Sequence, residues 1–146
     1  MRTTSLVSLE APVREFLGAA RYAVLATMNR DGSPQLTEMW YGIRENELFF
    51  NTTEERQKRR NLEHDPRVSL LVSAMKGDVV WRTLAYVRVD GIARLVATGA
   101  DALEDIVGLA IRYDGAAAEA SARRTYAPMH RATYAITIRR VYAKGL

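Results

Sequence analysis

The sequence of 146 residues has no cysteine, only two histidines and no long hydrophobic run. Without cysteine the chain has no disulfide, no iron–sulfur ligation, no thiol nucleophile and no zinc site built on thiolates. His64 and His130 form neither an HxH nor an HExxH motif, so we expect no metal centre. The longest stretches without a charged side chain, residues 22–29 and 68–75, are eight residues each and too short to cross a bilayer. No apolar run near the start resembles a secretory signal, and we expect a cytoplasmic protein with no membrane partner.

The common nucleotide and hydrolase signatures are also absent. The chain has no GxxxxGK(S/T), GxGxxG or GxSxG motif. Its 21 basic residues, 18 of them arginine, outnumber 17 acidic residues and give a net charge of +4, which is compatible with a polyanionic partner. A nucleic-acid-binding module is therefore one hypothesis. No recognition-helix or RNA-binding motif accompanies the charge, so we expect no nucleic-acid partner.

Apolar periodicity and turn residues predict six short strands joined mainly by tight turns. The predicted strands are residues 22–27, 35–43, 47–51, 68–73, 79–96 and 133–142. The predicted helices are residues 9–20, 53–65, 101–112 and 115–124. Asp31-Gly32 between the first two strands is a strong hairpin signal, and hairpins exclude a doubly wound parallel sheet. We expect a single domain over residues 1–146 that is mainly β within the α+β class, a six-stranded antiparallel barrel with peripheral helices.

Basic residues concentrate in the predicted helix that follows the third strand, residues 53–65. Its cations are Arg56, Lys58, Arg59 and Arg60. The helix has one aliphatic side chain, Leu62, and a solvated helix face explains this pattern without a ligand. The alternative is an anion site, in which the strand-to-helix turn supplies amide and threonine hydroxyl donors and the cations neutralise the charge. Glu54 and Glu55, predicted in the first helical turn, disfavour an anion directly on that turn.

Aromatic side chains distinguish the second predicted strand. Alternation places two sets of side chains on opposite faces, namely Leu36, Glu38, Trp40 and Gly42 on one and Gln35, Thr37, Met39 and Tyr41 on the other. Trp40 and Tyr41 either complete the hydrophobic core or form the wall of a site for a flat aromatic ligand. The sequence alone leaves both alternatives open.

Three runs occur in an order that is recognisable as a set: AVLATMNRDGSPQLTEMWY, LFFNTTEERQKRRNLEHDPRVSLLV and YVRVDGIARLV. Together they resemble the pyridoxamine 5'-phosphate oxidase-like split β-barrel superfamily, and more closely its small deazaflavin-using branch of probable F420-dependent enzymes. The resemblance covers nearly the whole chain. It implies a split β-barrel fold and a homodimer, with cofactor sites in two grooves at the subunit interface.

The resemblance also implies which residues contact the cofactor. They are Thr37, Glu38, Met39, Trp40, Asn51, Thr52, Arg56, Lys58, Arg59 and Tyr86. The first four lie along the tricyclic ring, the next two approach the ring or its ribityl chain, and Arg56 and Lys58 bind the phosphate. Arg59 and Arg60 are available to the acidic tail that distinguishes F420 from FMN, and Tyr86 comes from the partner subunit.

The function implied is an oxidoreductase that uses coenzyme F420 to transfer a hydride to or from a small organic substrate. The oxidase proper has basic residues at both ends of its second-strand motif, where this sequence has Thr37 and Gly42, and this departure disfavours a vitamin B6 oxidase. One alternative is an FMN-dependent oxidase or reductase of the same fold. A second is a non-catalytic cofactor carrier or a haem-handling relative. No side chain is identified as a catalytic acid or base.

Overall fold

Seven strands form one antiparallel sheet in the computed structural model, which describes residues 7–146. The strands are β1 (Ala23–Met28), β2 (Pro34–Met39), β3 (Gly42–Arg44), β4 (Glu47–Thr53), β5 (Arg67–Ser73), β6 (Tyr86–Thr98) and β7 (Arg131–Lys144). Their order in the sheet is β2-β1-β5-β6-β7-β4-β3. The helices are α1 (Ala11–Gly18), α2 (Gln57–His64), α3 (Gly99–Asp114) and α4 (Glu119–Tyr126). The predicted α+β class with a mainly antiparallel β structure is confirmed.

The prediction of a six-stranded barrel is wrong for residues 7–146. The predicted strand 35–43 is two strands, β2 and β3, which lie at opposite edges of an open sheet and do not pair with each other. The break falls at Tyr41, which is fully buried and donates its hydroxyl to the carbonyl oxygen of Leu17 at 2.7 Å. Gly42 passes so close to the ring of Phe49 that an added Cβ would lie 2.4 Å from it. Because Tyr41 is anchored at the end of α1, the chain leaves β1 and pairs next with β4.

Two glycines determine the path of the sheet. Gly32 has a φ of +85° and lies in the β1–β2 turn, where Met28 is paired with Pro34, as the Asp-Gly signal predicts. Gly91 lies at a register shift between β6 and β7, also as expected from the sequence. A Cβ at Gly91 would lie 2.3 Å from the carbonyl oxygen of Thr137, so this close backbone approach requires glycine.

The longest predicted strand, residues 79–96, begins later than expected. Residues 79–85 form a turn that includes the 3-10 segment Trp81–Thr83, and Leu84 adopts a left-handed φ of +51°. Strand β6 begins at Tyr86. Branched and aromatic residues favour a strand only where a neighbouring strand pairs with them, and those of this segment lie in a loop.

The hydrophobic core lies between the inner face of the sheet and α1. Inward side chains of four strands are almost completely buried, among them Leu25, Leu48, Phe50, Leu70, Val72, Val87 and Val89. The predicted apolar stripe of the first helix is buried as well, at Leu9, Val13, Phe16 and Leu17. Each of these larger side chains contributes about 1.5–3 kcal/mol by burial. A second cluster joins α3 to α4 through Val107, Ala110 and Ala122.

No helix between residues 7 and 146 has the length and apolarity needed to cross a membrane. Over the same range, no three His, Asp or Glu side chains are grouped as they would be around a metal ion. His64 is the last residue of α2, His130 directly precedes β7, and both are exposed.

Candidate functional site

The connection from β4 to α2 places basic side chains beside the end of a strand. Helix α2 begins at Gln57, four residues later than predicted, and Arg56 is its N-cap residue with an extended backbone. Glu54 and Glu55 therefore lie in the connecting turn, and the first turn of α2 has no acidic side chain. The repulsion that the sequence predicts for an anion at this turn is reduced accordingly.

Lys58 is a charged side chain in a buried position. It is 8% exposed and lies on the inner face of α2 with Asn61 and Leu62. Burial, followed by the neighbouring guanidinium groups of Arg56 and Arg131, lowers the pKa of Lys58 to about 8. No carboxylate within residues 7–146 forms an ion pair with it, although buried ammonium groups ordinarily require one. An anion beside Lys58 would supply the missing counter-charge.

Thr52 adds a second group without a partner. Its residue is 3% exposed, and its Oγ1 atom is buried and accepts or donates no hydrogen bond within the described part of the chain. Buried hydroxyl groups in folded proteins nearly always have a partner. The unsatisfied hydroxyl lies at the end of β4, four residues before Arg56, which makes Thr52 a candidate partner for a polar ligand group.

Asn51 is engaged inside the protein. Its Nδ2 donates to the carbonyl oxygen of Ala102 on α3 at 2.9 Å and to Oγ1 of Thr133 on β7 at 3.0 Å. Its Oδ1 accepts a hydrogen bond from Nε of Arg131 at 2.7 Å. The structure therefore brings Asn51 to the site through Arg131, whereas the predicted contact between Asn51 and a cofactor ring stays a prediction.

Arg131 belongs to this neighbourhood and is missed by sequence reasoning. It is the first residue of β7, where it pairs with Thr53 of β4, and its guanidinium lies 5.0 Å from the ring centre of Tyr126. Burial lowers the pKa of Arg131, and the charge of Arg56 lowers it further. No local motif marks this arginine, because only the pairing of β4 with β7 brings it beside α2.

Asn61 fixes α2 to the first hairpin. Its Nδ2 donates to Oγ1 of Thr27 at 3.1 Å and to Oδ1 of Asn29 at 3.0 Å. Gln57 donates in turn to Asn61 Oδ1 at 2.8 Å. The asparagine of the RNL motif is thus a structural link that holds the basic helix against the β1–β2 hairpin.

The predicted ring-binding residues lie on an edge strand. Thr37 is half-buried, Glu38 is exposed and Met39 is buried on β2, whose outer side has no partner strand in the described chain. Trp40 follows directly, and its ring stacks on that of Tyr113 with 5.2 Å between centres and an angle of 10°. The edge therefore offers backbone donors and acceptors next to an aromatic ring of fixed orientation.

Arg59 and Tyr86 have different surroundings from Lys58. Arg59 is half-buried near Glu54 and Glu63, at 4.0 and 3.8 Å, and its NH1 atom is buried without a hydrogen-bond partner. Tyr86 is on the outer face of the sheet at the start of β6, next to Ser73. Helix α2 packs near the C-terminal end of β1, whereas Tyr86 lies near the N-terminal end of that strand. One protomer therefore does not bring Tyr86 to the basic cluster.

The residues present fit the phosphate of a flavin or deazaflavin. Arg56 and Lys58 supply positive charge that no carboxylate of residues 7–146 neutralises, and Thr52 supplies an unused hydroxyl. Charge-assisted hydrogen bonds to phosphate are the strong interactions that such groups form. The same set does not discriminate between FMN and F420.

Comparisons with known proteins agree with this fold. The family model described as pyridoxamine 5'-phosphate oxidase matches residues 9–145. The solved structure of conserved hypothetical protein Rv2991 from Mycobacterium tuberculosis is 29% identical with a TM-score of 0.76, covering 99% of this chain and 89% of that chain. A protein named F420 reductase is 27% identical with a TM-score of 0.69, covering 88% and 94%.

HutZ, the heme storage protein from Vibrio cholerae, has a TM-score of 0.69 at 16% identity, covering 96% of this chain and 97% of that chain. At this identity the likeness concerns the fold alone. The family match extends over β1 to β7 and includes the basic turn before α2. The resemblance inferred from the sequence is thereby confirmed, and the chain belongs to the pyridoxamine 5'-phosphate oxidase family.

Proposed function

We propose that this protein is an oxidoreductase that binds coenzyme F420 at the interface of a cytoplasmic homodimer and transfers a hydride to or from a small organic substrate. The observation that supports the proposal best is the buried Lys58 without a carboxylate partner, beside Arg56. Three features support the ring site, the dimer and the cofactor in turn. They are the free edge of β2, the exposed apolar side chains Val24 and Leu71 on the outer face of the sheet, and the similarity to a protein named F420 reductase.

The phosphate of the cofactor would bind at the start of α2. Lys58 and Arg56 would bind it through charge-assisted hydrogen bonds, and Thr52 Oγ1 would gain the partner that it lacks. The amide groups of the first turn of α2 add donors of the same polarity. Binding at this place would also return the pKa of Lys58 towards its ordinary value of 10.5, because the anion offsets the burial of the charge.

The ring of the cofactor would lie along β2. The unpaired side of this edge strand offers backbone groups that can bind the polar rim of a flat heterocycle, and Trp40 would form an adjacent wall. When bound, the deazaflavin supplies the hydride chemistry. The chain would orient one face of the ring towards the substrate and exclude water from it.

A second copy of the chain would cover the outer face of the sheet. Cross-strand pairing aligns Val24, Leu71, Arg88 and Tyr142 in one row across four strands. The three uncharged members of this row are 36–40% exposed, and Tyr86 nearby is 36% exposed. Exposed apolar side chains that lie side by side, as Val24 and Leu71 do, are typical of interaction surfaces. Tyr86 lies on this face, where a partner subunit can receive it.

Spectroscopy of the purified protein and a cofactor titration test the proposal. We expect F420 to bind at one molecule per protomer with a change in its fluorescence, and light scattering to give twice the 16.4 kDa mass of the chain. Lys58→Met should weaken binding, whereas Lys76→Met, at an exposed lysine in the β5–β6 turn, should not. A two-band flavin spectrum, or FMN binding without affinity for F420, would contradict the assignment.

FMN is the second candidate because the phosphate site fits it equally well. Arg56, Lys58 and Thr52 would contact only the phosphate, the group that FMN and F420 share. Competition between the two cofactors in a single titration separates the candidates. Preference for FMN would convert the proposal into an FMN-dependent oxidase or reductase, and tight binding of F420 without turnover would favour a carrier.

A further inference from the structure

A chain of hydrogen bonds leads from β7 through β4 to α3. Arg131 Nε donates to Asn51 Oδ1 at 2.7 Å, and Asn51 Nδ2 donates to Thr133 Oγ1 at 3.0 Å. Thr133 Oγ1 donates to Asp105 Oδ2 at 2.7 Å. Every donor in this series points the same way, so the guanidinium at one end is linked to a carboxylate at the other.

The chain leaves little freedom to the Asn51 amide. Besides Thr133, Nδ2 also donates to the carbonyl oxygen of Ala102, so both amide hydrogens are used and Oδ1 must face Arg131. Asn51 is 8% exposed and Thr133 is fully buried. Buried hydrogen bonds of this kind reinforce one another and hold their members rigidly.

Arg131 reaches the basic cluster from a different element than the other cations. Arg56 and Lys58 belong to the start of α2, whereas Arg131 belongs to the start of β7 and pairs there with Thr53. Within residues 7–146 it forms no ion pair, and a terminal guanidinium nitrogen contacts only the Met129 sulfur, at 3.8 Å. A guanidinium held through Nε still has two terminal nitrogens, which form a fork that matches phosphate.

We propose that Arg131 is the third cation of the anion site and binds the cofactor phosphate together with Arg56 and Lys58, and that Asn51, Thr133 and Asp105 position its guanidinium. The inference rests on the proposed function only for the identity of the ligand. The chemistry it requires is a phosphate group. It makes α3 part of the site, because Asp105 and Ala102 hold Asn51 in place.

Lysine NMR tests the placement of Arg131 without any cofactor. The chain has three lysines, Lys58, Lys76 and Lys144, so three labelled Nζ signals can be assigned by single substitutions. We expect Arg131→Gln to raise the pKa of Lys58, and inorganic pyrophosphate to raise it in the unmodified protein. Arg124→Gln, which removes the same charge from an exposed position on α4, should leave it unchanged.

Cofactor titrations test the role of Arg131 in binding. Arg131→Gln should weaken F420 and FMN about 10–100-fold and riboflavin, which lacks the phosphate, less than 2-fold. Arg131→Lys should recover part of the loss. Thr133→Val, which keeps the shape but interrupts the chain, should weaken F420 about 3–10-fold, and Thr133→Ser should restore binding. A plain packing role for Thr133 would not separate the phosphate-bearing from the phosphate-free flavin.

The outcomes separate this inference from the proposed function. If neither cofactor binds but pyrophosphate shifts Lys58 and Arg131→Gln weakens that effect, the inference stands and the proposed function fails. If Arg131→Gln and Arg131→Lys both bind the cofactor as tightly as the unmodified protein does, with unchanged melting temperatures, the inference is overturned. An unchanged pKa of Lys58 in folded Arg131→Gln would overturn it as well.

Discussion

Arg112 on α3 and Arg123 on α4 differ from the basic side chains at the start of α2. Arg123 binds Glu104 at 2.5 Å and Glu119 at 3.3 Å. Arg112 donates to carbonyl oxygens at the end of α1, among them that of Leu17 at 3.0 Å. Each of these cations has a partner in the folded chain, so each is accounted for by the fold.

At the start of α2 the balance is different. Arg56 and Lys58 are close together, and within residues 7–146 neither forms an ion pair with a carboxylate, although Lys58 is buried. Unpaired buried charge destabilises a fold. The comparison teaches that Arg112 and Arg123 are partnered by the fold, whereas the buried Lys58 lowers stability without a partner, which is a pattern expected of functional sites.

Of the substitutions that test this comparison, Lys58→Met should change cofactor affinity and stability the most. We expect F420 affinity to fall about 10–100-fold, because the buried ammonium group is lost. The free energy of unfolding without cofactor should rise by about 1–3 kcal/mol at pH 7, because an apolar side chain replaces an unpaired charge. Fluorescence titration and chemical denaturation measure the two quantities, with Lys76→Met as the control. A loss of stability in Lys58→Met would contradict this account.

The pH dependence of stability sharpens the same point. The pKa of Lys58 is about 8 in the folded protein and 10.5 as the ordinary value, so folding is opposed by the full desolvation of the charge below pH 8. Between pH 8 and 10.5 the folded state releases this proton before the unfolded state does. The stability advantage of Lys58→Met should therefore shrink across this window. An advantage that stays constant from pH 7 to 10.5 would show that Lys58 is not the titrating group.

Thr52→Val tests the unsatisfied hydroxyl. Without cofactor we expect the melting temperature to stay the same or rise, because a buried group without a hydrogen bond is removed. The corresponding gain in the free energy of unfolding is at most about 1 kcal/mol. With cofactor the affinity should fall about 3–10-fold. Calorimetry with and without F420 measures both. Thr125→Val, at an exposed position on α4, is the matched control.

Glu47→Gln gives the smallest effect because it breaks an ion pair with Arg94 that is partly exposed. Arg94 donates to both carboxylate oxygens of Glu47, at 2.5 and 2.6 Å, and lowers the pKa of this acid. The pair is partly exposed, so we expect a loss of about 0.2–1 kcal/mol and unchanged F420 affinity. The lowered pKa means that the stabilisation exists above the unfolded pKa of 4.5 and fades as the pH falls through the folded one. Urea denaturation at pH 7 and pH 3 measures the difference.

Much of the fold can be predicted from the sequence because its signals are local. The Asp31-Gly32 turn, the bulge at Gly91 and the buried stripe that includes Phe16 each follow from a few neighbouring residues. The break at Tyr41 cannot be predicted in this way. It depends on a hydrogen bond to Leu17, which is distant in sequence, and alternation alone continues the strand.

The residues of the candidate site likewise differ in whether local sequence or tertiary pairing brings them together. The predicted cations Arg56 and Lys58 come from one helix, and the structure places them together. Arg131 enters through the pairing of β4 with β7, and the engagement of Asn51 with α3 depends on tertiary packing. All ten predicted cofactor contacts stay predictions, namely those of Thr37, Glu38, Met39, Trp40, Asn51, Thr52, Arg56, Lys58, Arg59 and Tyr86.

The most direct measurement is the titration of the Lys58 Nζ signal with and without F420. In the free protein we expect a pKa of about 8 for Lys58, well below the ordinary lysine value of 10.5. With saturating F420 we expect the pKa of Lys58 to rise towards 10.5, because the phosphate supplies the missing counter-charge. A pKa of Lys58 near the ordinary value of 10.5 in the free protein, or one that F420 leaves unchanged, would contradict the claim that this cluster binds the cofactor.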